Sequence, residues 1–222
     1  METKRKRPIE RLDIAAAALV TLFLLLILVP FLNVLVLSVT TEKEFLQTPI
    51  LLFPKNPTLQ NYKQLFEGGT VFNGYKNSFL ILLLGVPLDL FLTTTLAYAF
   101  SRKSFPGRKA LLSLILFTML FNGGIVPLYL VVKQLGLTNS LLSVVFTQAV
   151  STYNMILMMN YFSSIPESLL ESARLDGAGE WRVLWHIALP LSMPIIATML
   201  LFYAVGRWNE WYQAMLFIKQ AH

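Results

Sequence analysis

Long apolar runs separated by short polar stretches form the main pattern of this chain. A bilayer core of about 30 Å needs about 20 apolar residues in a helix. Five runs reach or approach that length: 14–39, 79–100, 110–132, 141–161 and 191–212. The first run is longer than the roughly 7–15 apolar residues of a signal peptide, and no clear cleavage site follows it, so we expect it to be retained. The pattern predicts an all-α, polytopic transmembrane helical bundle of about five spans.

Composition supports a membrane protein over a soluble one. The 222 residues are 55% hydrophobic and 14% charged, with a mean hydropathy of +0.61, whereas soluble domains are about 45–50% apolar and about 25% charged. The apolar residues are also grouped in long runs and not spread at the period of a soluble core. Because the chain has no cysteine, disulfides and thiolate metal sites are excluded, and no cluster of other residues predicts a metal site.

The net charge of +6 is concentrated beside the apolar runs. Lysines and arginines cluster at 4–11 and 102–109, without interleaved aromatic residues, so we expect no nucleic acid partner. Cations that flank membrane spans are retained on the cytoplasmic side. The charges therefore predict a cytoplasmic, basic N-terminus over 1–13 and a first transmembrane helix over 14–39, in a multi-pass protein of the cell membrane.

The same orientation assigns the remaining segments to the two sides of the membrane. Segments 101–109 and 162–190 are expected in the cytoplasm, and segment 40–76 is expected to be an external loop. In that loop Thr58 is placed to cap a short amphipathic helix. The apolar face of this helix is expected to lie on the membrane or against other helices, with contact to an external partner as the alternative. The face comprises Leu59, Tyr62, Leu65 and Phe66.

The polar segment, residues 162–190, lies between the fourth and fifth runs and does not look like a spacer. It is predicted to form two short amphipathic helices joined by a glycine turn. Ser164 and Glu167 have the spacing of a capping box, and the first helix is expected to end near Asp176. Gly177 can adopt the positive φ that such a turn needs.

Helices this short are marginal in water, because isolated helices below about 12–15 residues rarely persist. Something must hold the polar segment: other helix ends of the protein, lipid headgroups, or the groove of a partner. A hairpin that rests on lipid is one interpretation. Glu171 and Arg174 are also spaced to form an ion pair within one helix. The pattern alone leaves these alternatives open.

Six positions of the polar segment follow the spacing E-x-A-x3-G-x9-I-x-L-P: Glu171, Ala173, Gly177, Ile187, Leu189 and Pro190. This spacing resembles the EAA loop of ABC importer permeases, with Ser172 in place of the usual middle alanine. It is similar in particular to carbohydrate-uptake permeases of the oligosaccharide or aldouronate type. Stretches from Asn77, Leu96, Gly123 and Phe202 resemble them too, so the resemblance covers about 77–218.

The resemblance implies that the polar segment is a cytoplasmic two-helix coupling element within a permease core of 77–222. Glu171 would meet a basic residue of an ATPase subunit, Ala173 would allow close helix approach, and Gly177 would make the turn. The last three motif positions would join the element to the gating helix that follows. The expected ATPase-coupling residues are Glu171, Ala173, Asp176, Gly177, Ile187, Leu189 and Pro190.

The resemblance also implies a set of partners in the bacterial cytoplasmic (inner) membrane. The chain has no G-x4-G-K-[ST] phosphate loop, so ATP would be bound by ATPase subunits and no cofactor by this chain. We expect a second permease subunit, an external solute-binding protein and a carbohydrate substrate of oligosaccharide type, and we expect no catalytic residue in this chain. Family members usually have one more span after the position of His222, so we expect the final span to be missing.

A membrane enzyme or scaffold with a lipid-resting amphipathic hairpin is the alternative. Such an enzyme would need acid/base or metal-ligand residues that converge at one interface, and the sequence shows none.

Polar side chains inside the runs are candidates for function, because they are costly at membrane depth. Asp89 is expected to be structural, either protonated or paired with a hydroxyl such as Thr93, since the sequence suggests no second ionisable group at its depth. Asn122, Tyr153 and Asn154 are candidates for the substrate pathway, because amides and aromatic rings bind sugars. Hydrogen bonding between helices is the equal alternative for these three residues.

Overall fold

The computed structural model describes residues 11–47 and 53–219, and every regular element in those ranges is helical. Most of the predicted cytoplasmic N-terminus, 1–13, lies outside the described residues. The chain divides into two compact units, 1–72 and 73–222, and the boundary falls in the first turn of a long helix.

The first unit consists of one long helix and two short ones: α1 (Arg11–Ser38), α2 (Glu42–Gln47) and α3 (Gln60–Glu67). Helix α1 is apolar on all sides, as expected of a helix that faces lipid or other apolar helices. Helix α3 occupies the place predicted for a short helix. The hydroxyl of Thr58 accepts a hydrogen bond from the Gln60 N–H at 3.2 Å, which satisfies one of the free amides at its start.

Hydrogen bonds fix the chain that follows α1 within this unit. The Thr58 N–H donates to the Val39 carbonyl at 2.8 Å. The Asn61 side-chain amide donates to the carbonyls of Ser38 and Thr40 at 3.1 and 2.9 Å. These bonds hold the start of α3 beside the end of α1.

The second unit begins within α4 (Thr70–Ser101), a helix that is longer than the run predicted at 79–100. Four helices form the next two runs: α5 (Arg108–Leu120), α6 (Ile125–Gln134), α7 (Leu141–Thr147) and α8 (Thr152–Ser163). The chain bends by 115° between α5 and α6 and by 49° between α7 and α8. The sharper bend lies at Asn122–Gly124, where the Gly124 φ of +85° suits glycine.

The polar segment and the last run complete the unit. The elements are α9 (Glu167–Leu175), α10 (Glu180–Val183), a π-helical turn (Leu184–Ala188), α11 (Leu189–Leu191), α12 (Met193–Trp208) and α13 (Tyr212–Phe217). The chain bends by 86° where α11 meets α12. Across the described residues, two helices are long and apolar enough to cross a membrane, or up to five spans if each bent pair is one span. The prediction of an all-α, polytopic bundle is confirmed.

The core of this unit lies where α4, α8 and α12 meet the polar segment. Its fully or nearly buried members are Ala97, Tyr98, Phe100, Met155, Met158, Phe162, Leu170, Val183, Leu184, Ala188, Met199 and Tyr203. Five of these residues belong to the polar segment, so that segment is packed into the protein and does not rest on lipid alone.

Candidate functional site

The two helices of the polar segment are joined by a tight glycine turn. Helix α9 ends in a Schellman motif, in which the Gly177 N–H donates to the Arg174 carbonyl and the Ala178 N–H donates to the Ala173 carbonyl, both at 3.0 Å. Gly177 has φ +83°, a left-handed conformation that is costly for other residues. The turn at Gly177 is where the sequence places it.

One side of the polar segment is buried and the other is exposed. Leu170, Val183 and Ala188 are completely buried in the core. Of the predicted coupling residues, Ala173, Ile187 and Leu189 are half-buried, whereas Glu171, Asp176, Gly177 and Pro190 are exposed. Within the described ranges, neither Glu171 nor Asp176 has a hydrogen bond or ion pair from its side chain. Two carboxylates are therefore presented outward on a face that the core holds in place.

A charged ring, made of Tyr98, Arg102, Glu167, Arg174 and Glu180, connects the polar segment to the end of α4. Arg174 donates from Nε to Glu180 Oε1 at 2.7 Å and from Nη1 to Glu167 Oε1 at 3.0 Å. These two carboxylates raise the pKa of Arg174 above its usual value, so the guanidinium stays charged. Arg174 thus bridges the two helices across the glycine turn.

Two residues from the end of α4 close the ring. The Tyr98 hydroxyl donates to Glu180 Oε2 at 2.8 Å. The Arg102 guanidinium donates to Glu167 Oε2 at 3.2 Å and lies 5.0 Å from the centre of the Tyr98 ring. A cavity of about 330 Å³ opens beside the ring, and its wall includes Trp181.

A second polar centre is buried between α4, α7 and α12. Arg207 donates from Nε and Nη2 to the two oxygens of Asp89 at 2.9 and 2.7 Å, and both side chains are at most 2% exposed. It also donates to the carbonyls of Val144 and Val145 at 2.7 and 2.8 Å. These carbonyls lie in the last turn of α7, where helical donors are lacking. Arg207 therefore satisfies both a buried carboxylate and the end of a broken helix.

Gly85 provides the space for this arrangement. A Cβ atom at that position would lie 2.9 Å from Arg207 Nε, too close for an ordinary contact. The glycine lets the guanidinium lie directly against the backbone of α4.

A polar cavity of about 370 Å³ lies beside the break between α7 and α8. Its lining includes Gln148, Ser151, Asn154, Phe202, Tyr203 and Arg207. Asn154 is therefore the pathway candidate that faces a cavity. Tyr153 is 56% exposed and does not line it, and the exposed Asn122 accepts a hydrogen bond from the Gly124 N–H at the sharper bend. The structure does not bring the three candidates together, and their role in a pathway stays a prediction.

Comparison with known proteins gives the family. Residues 90–219 match the model of the binding-protein-dependent transport system inner membrane component. The match covers more than half of the chain and includes the polar segment, Arg207 and the cavity beside α8. The chain belongs to this family. It is therefore an inner membrane component of a binding-protein-dependent transport system.

Individual members of this family resemble the chain over most of its length. It is 42% identical to Protein LplC of Bacillus subtilis over 194 residues, which are 87% of the chain and 66% of LplC. It is 35% identical to the polygalacturonan/rhamnogalacturonan transport system permease protein YtcP of Bacillus subtilis over 209 residues, 94% of the chain and 73% of YtcP. The chain thus spans about two thirds to three quarters of these relatives.

A solved structure supports the same fold. The chain aligns with the crystal structure of a bacterial ABC transporter involved in the import of the acidic polysaccharide alginate, with a TM-score of 0.86 and 30% identity. The alignment covers 99% of this chain and 78% of the other. The family and its relatives support a transport component and not the alternative of a membrane enzyme or scaffold.

Some predicted contacts in this family member are wrong. Asp89 pairs with Arg207, not with Thr93, whose hydroxyl bonds to Tyr203 at 2.6 Å. The expectation of no second ionisable group near Asp89 fails because Arg207 is 118 residues away in sequence yet adjacent in space. The placement of an arginine inside the last apolar run was the signal for it.

Two local predictions in the polar segment are also wrong. Ser164 does not form a capping box, because its hydroxyl donates to the Tyr161 carbonyl at 2.7 Å and Glu167 is held by arginines instead. Arg174 does not pair with Glu171, because it contacts Glu167 at the start of its own helix and Glu180 across the turn. Short-range spacing misses these contacts because Arg102 reaches Glu167 from the end of α4 and the turn at Gly177 brings Glu180 back to Arg174.

Proposed function

We propose that this chain is the permease subunit of an ATP-binding-cassette importer that translocates a carbohydrate, of oligosaccharide size. A separate ATPase supplies the energy, a second permease subunit completes the pathway, and an external binding protein delivers the solute. ATP is bound by the partner subunits, and this chain needs no cofactor of its own.

The polar segment is the observation that carries this proposal. Its buried side anchors it among α4, α8 and α12, and its exposed side presents Glu171 and Asp176 without partners in the described part of the chain. Its last part, which comprises the π-helical turn and Pro190 of α11, leads into α12. A groove that grips the exposed side can therefore move α12. Glu171 and Asp176 lie in the gripped part, Ala173 allows close helix approach and Gly177 makes the turn. Ile187, Leu189 and Pro190 form the connection.

Names of relatives and the chemistry of one cavity support a carbohydrate as the solute. YtcP is named for polygalacturonan and rhamnogalacturonan transport, and the structural relative imports alginate. In this chain, the cavity beside α8 offers an amide, hydroxyls and aromatic side chains to the hydroxyl groups and faces of a sugar. Asn154 is the side chain that we propose contacts the solute there.

The positions of the cations support the proposed orientation. Arg102 and Arg108 follow the end of α4, on the same side of the unit as the polar segment that Arg102 contacts. Because such cations are retained in the cytoplasm, they support a cytoplasmic polar segment, and the cations at 4–11 of the sequence support a cytoplasmic N-terminus. This orientation exposes Glu171 to a cytoplasmic ATPase.

Copurification of the ATPase tests the proposal. In the intact transporter, Glu171→Lys reverses a charge that would form a charge-assisted contact of about 1.5–3 kcal/mol, so we expect at least about tenfold weaker retention of the ATPase. Glu42→Lys is the matched control, since Glu42 is an exposed glutamate of the first unit.

Equal retention of the ATPase by both variants and the natural protein would contradict the coupling role. Absence of any copurifying ATPase from the natural transporter would contradict the proposed function as a whole. Membrane insertion of each variant, measured by protease protection, shows that the change acts on docking and not on folding.

A further inference from the structure

The charged ring attaches the polar segment to α4 at two separate points. Glu180, the first residue of α10, accepts from the Tyr98 hydroxyl in the last turn of α4. Glu167, the first residue of α9, accepts from Arg102 directly after α4. Each helix of the polar segment therefore has its own connection to the same end of α4, and Arg174 joins the two connections.

Arg102 is a fixed anchor for this attachment. The residue is only 7% exposed, and its Nε and Nη2 donate to the Ser101 hydroxyl and the Phe162 carbonyl, both at 2.9 Å. The Tyr98 ring is held edge-on against Phe162, with ring centres 5.8 Å apart. A planar guanidinium whose three nitrogens each donate a hydrogen bond holds its partners in a defined geometry.

We expect the charged ring to affect the orientation of the polar segment relative to α4 more than it affects stability. The side chains of Glu167 and Glu180 are each 56% exposed. Ion pairs that are this open to water contribute little to stability. The buried apolar residues of the polar segment hold it in place without the ring, so breaking the ring is expected to leave the segment folded but less firmly linked to α4.

We propose that the charged ring passes movement of the polar segment directly to α4. This route operates alongside the connection through Pro190 to α12, so one movement acts on two membrane helices. The inference rests on the proposed function, because an ATPase must move the polar segment. Tyr98, Arg102, Glu167, Arg174 and Glu180 act as positioning residues and do not touch the solute.

Uptake per ATP hydrolysed is the measurement that separates this role from a structural one. In the complete transporter, reconstituted in liposomes, Arg174→Gln removes the bridge between the two helices. We expect the ATPase to stay bound and uptake per ATP to fall at least about fivefold, the lower range of measured coupling between sites. Arg182→Gln is the matched control, because Arg182 is an exposed arginine of the same segment whose side chain has no partner among the described residues.

A second variant lies outside the polar segment. Tyr98→Phe keeps the buried aromatic side chain and its contact with Phe162, but it removes the hydroxyl that binds Glu180. We expect it to lower uptake per ATP while leaving ATPase retention unchanged, since it alters no exposed residue of the segment.

Distance measurements follow the movement itself. The chain has no cysteine, so spin labels can be attached at Lys103→Cys and Ser168→Cys in a transporter whose partner subunits lack cysteine. With the charged ring intact, we expect the distance between the labels to be the same in the ATP-free and ATP-bound states. With Arg174→Gln added, we expect that distance to change on ATP binding.

Wild-type uptake per ATP in both Arg174→Gln and Tyr98→Phe would overturn the inference, as would a label distance that changes equally with and without the ring. Loss of the ATPase from the Arg174→Gln complex alone would also overturn it, because the ring would then serve docking. In all three cases the proposed function stands if the natural transporter retains its ATPase.

Discussion

Asp89 and Arg207 show how two single residues are tolerated inside an apolar bundle. Each is costly at membrane depth on its own, but the fork of Arg207 meets both oxygens of Asp89 and two carbonyls of α7. Gly85 supplies the space. Removing either side chain leaves the buried polar group of the other without its partner.

Removal of one member is therefore expected to cost more than removal of both. Arg207→Met leaves an uncompensated buried carboxylate, and we expect a loss of about 3–5 kcal/mol in stability. Adding Asp89→Leu to Arg207→Met should restore part of that loss, because no buried charge then remains. Thermal unfolding of the detergent-solubilised transporter measures both effects, and equal midpoints for the single variant and the natural protein would refute the argument.

At the scale of elements, the broken helices and the short helices of the polar segment have identifiable causes. The bend between α5 and α6 lies at Asn122–Gly124, and the turn between α9 and α10 lies at Gly177. The breaks at Gly124 and Gly177, which both have positive φ, could be found from the sequence because they depend on local chemistry. The contacts of the charged ring could not, because they join residues that only the assembled helices bring together. For Asp89 and Arg207, the sequence shows two charges inside apolar runs but not that they meet.

Gly177 provides a test at this scale, with Gly179 as its control. A Cβ atom meets nothing within 4 Å at either position, so only the backbone differs: φ is +83° at Gly177 and −72° at Gly179. We expect Gly177→Ala to cost about 1–2 kcal/mol, the penalty for a left-handed residue with a side chain.

Gly179→Ala should be nearly neutral in the same thermal unfolding measurement. The two variants should also differ in ATPase copurification, since strain at Gly177 disturbs the turn that carries the exposed carboxylates. Similar behaviour of both variants would argue against a tightly constrained turn.

At the scale of the whole molecule, sequence pattern and structure agree on the class of fold and differ in detail. Five apolar runs predict the helical bundle, and the described helices supply up to five spans. The two short helices of the polar segment and the turn at Gly177 agree with the sequence pattern because they are local features. Of the pathway candidates, only Asn154 lines the cavity beside α8, because which side of a helix faces a cavity depends on how the helices pack.

Asn154 is therefore the residue with which to test solute contact. Asn154→Leu removes amide hydrogen bonds of about 0.5–1.5 kcal/mol, which corresponds to about two- to tenfold weaker uptake. Asn160→Leu is the control, since Asn160 is an exposed asparagine of the same helix. Uptake by whole cells at matched expression compares them, and full uptake with Asn154→Leu would remove Asn154 from the pathway.

The π-helical turn at Leu184–Ala188 has a geometric consequence for the chain after it. A π turn holds one more residue than an α turn, and one residue corresponds to about 100° around a helix axis. A regular α-helix over these residues would turn Leu189 and Pro190 to a different side, and the axis of α12 would then point in a different direction. Deleting a single residue here would thus misdirect the last long helix, even where every contact of the charged ring is preserved.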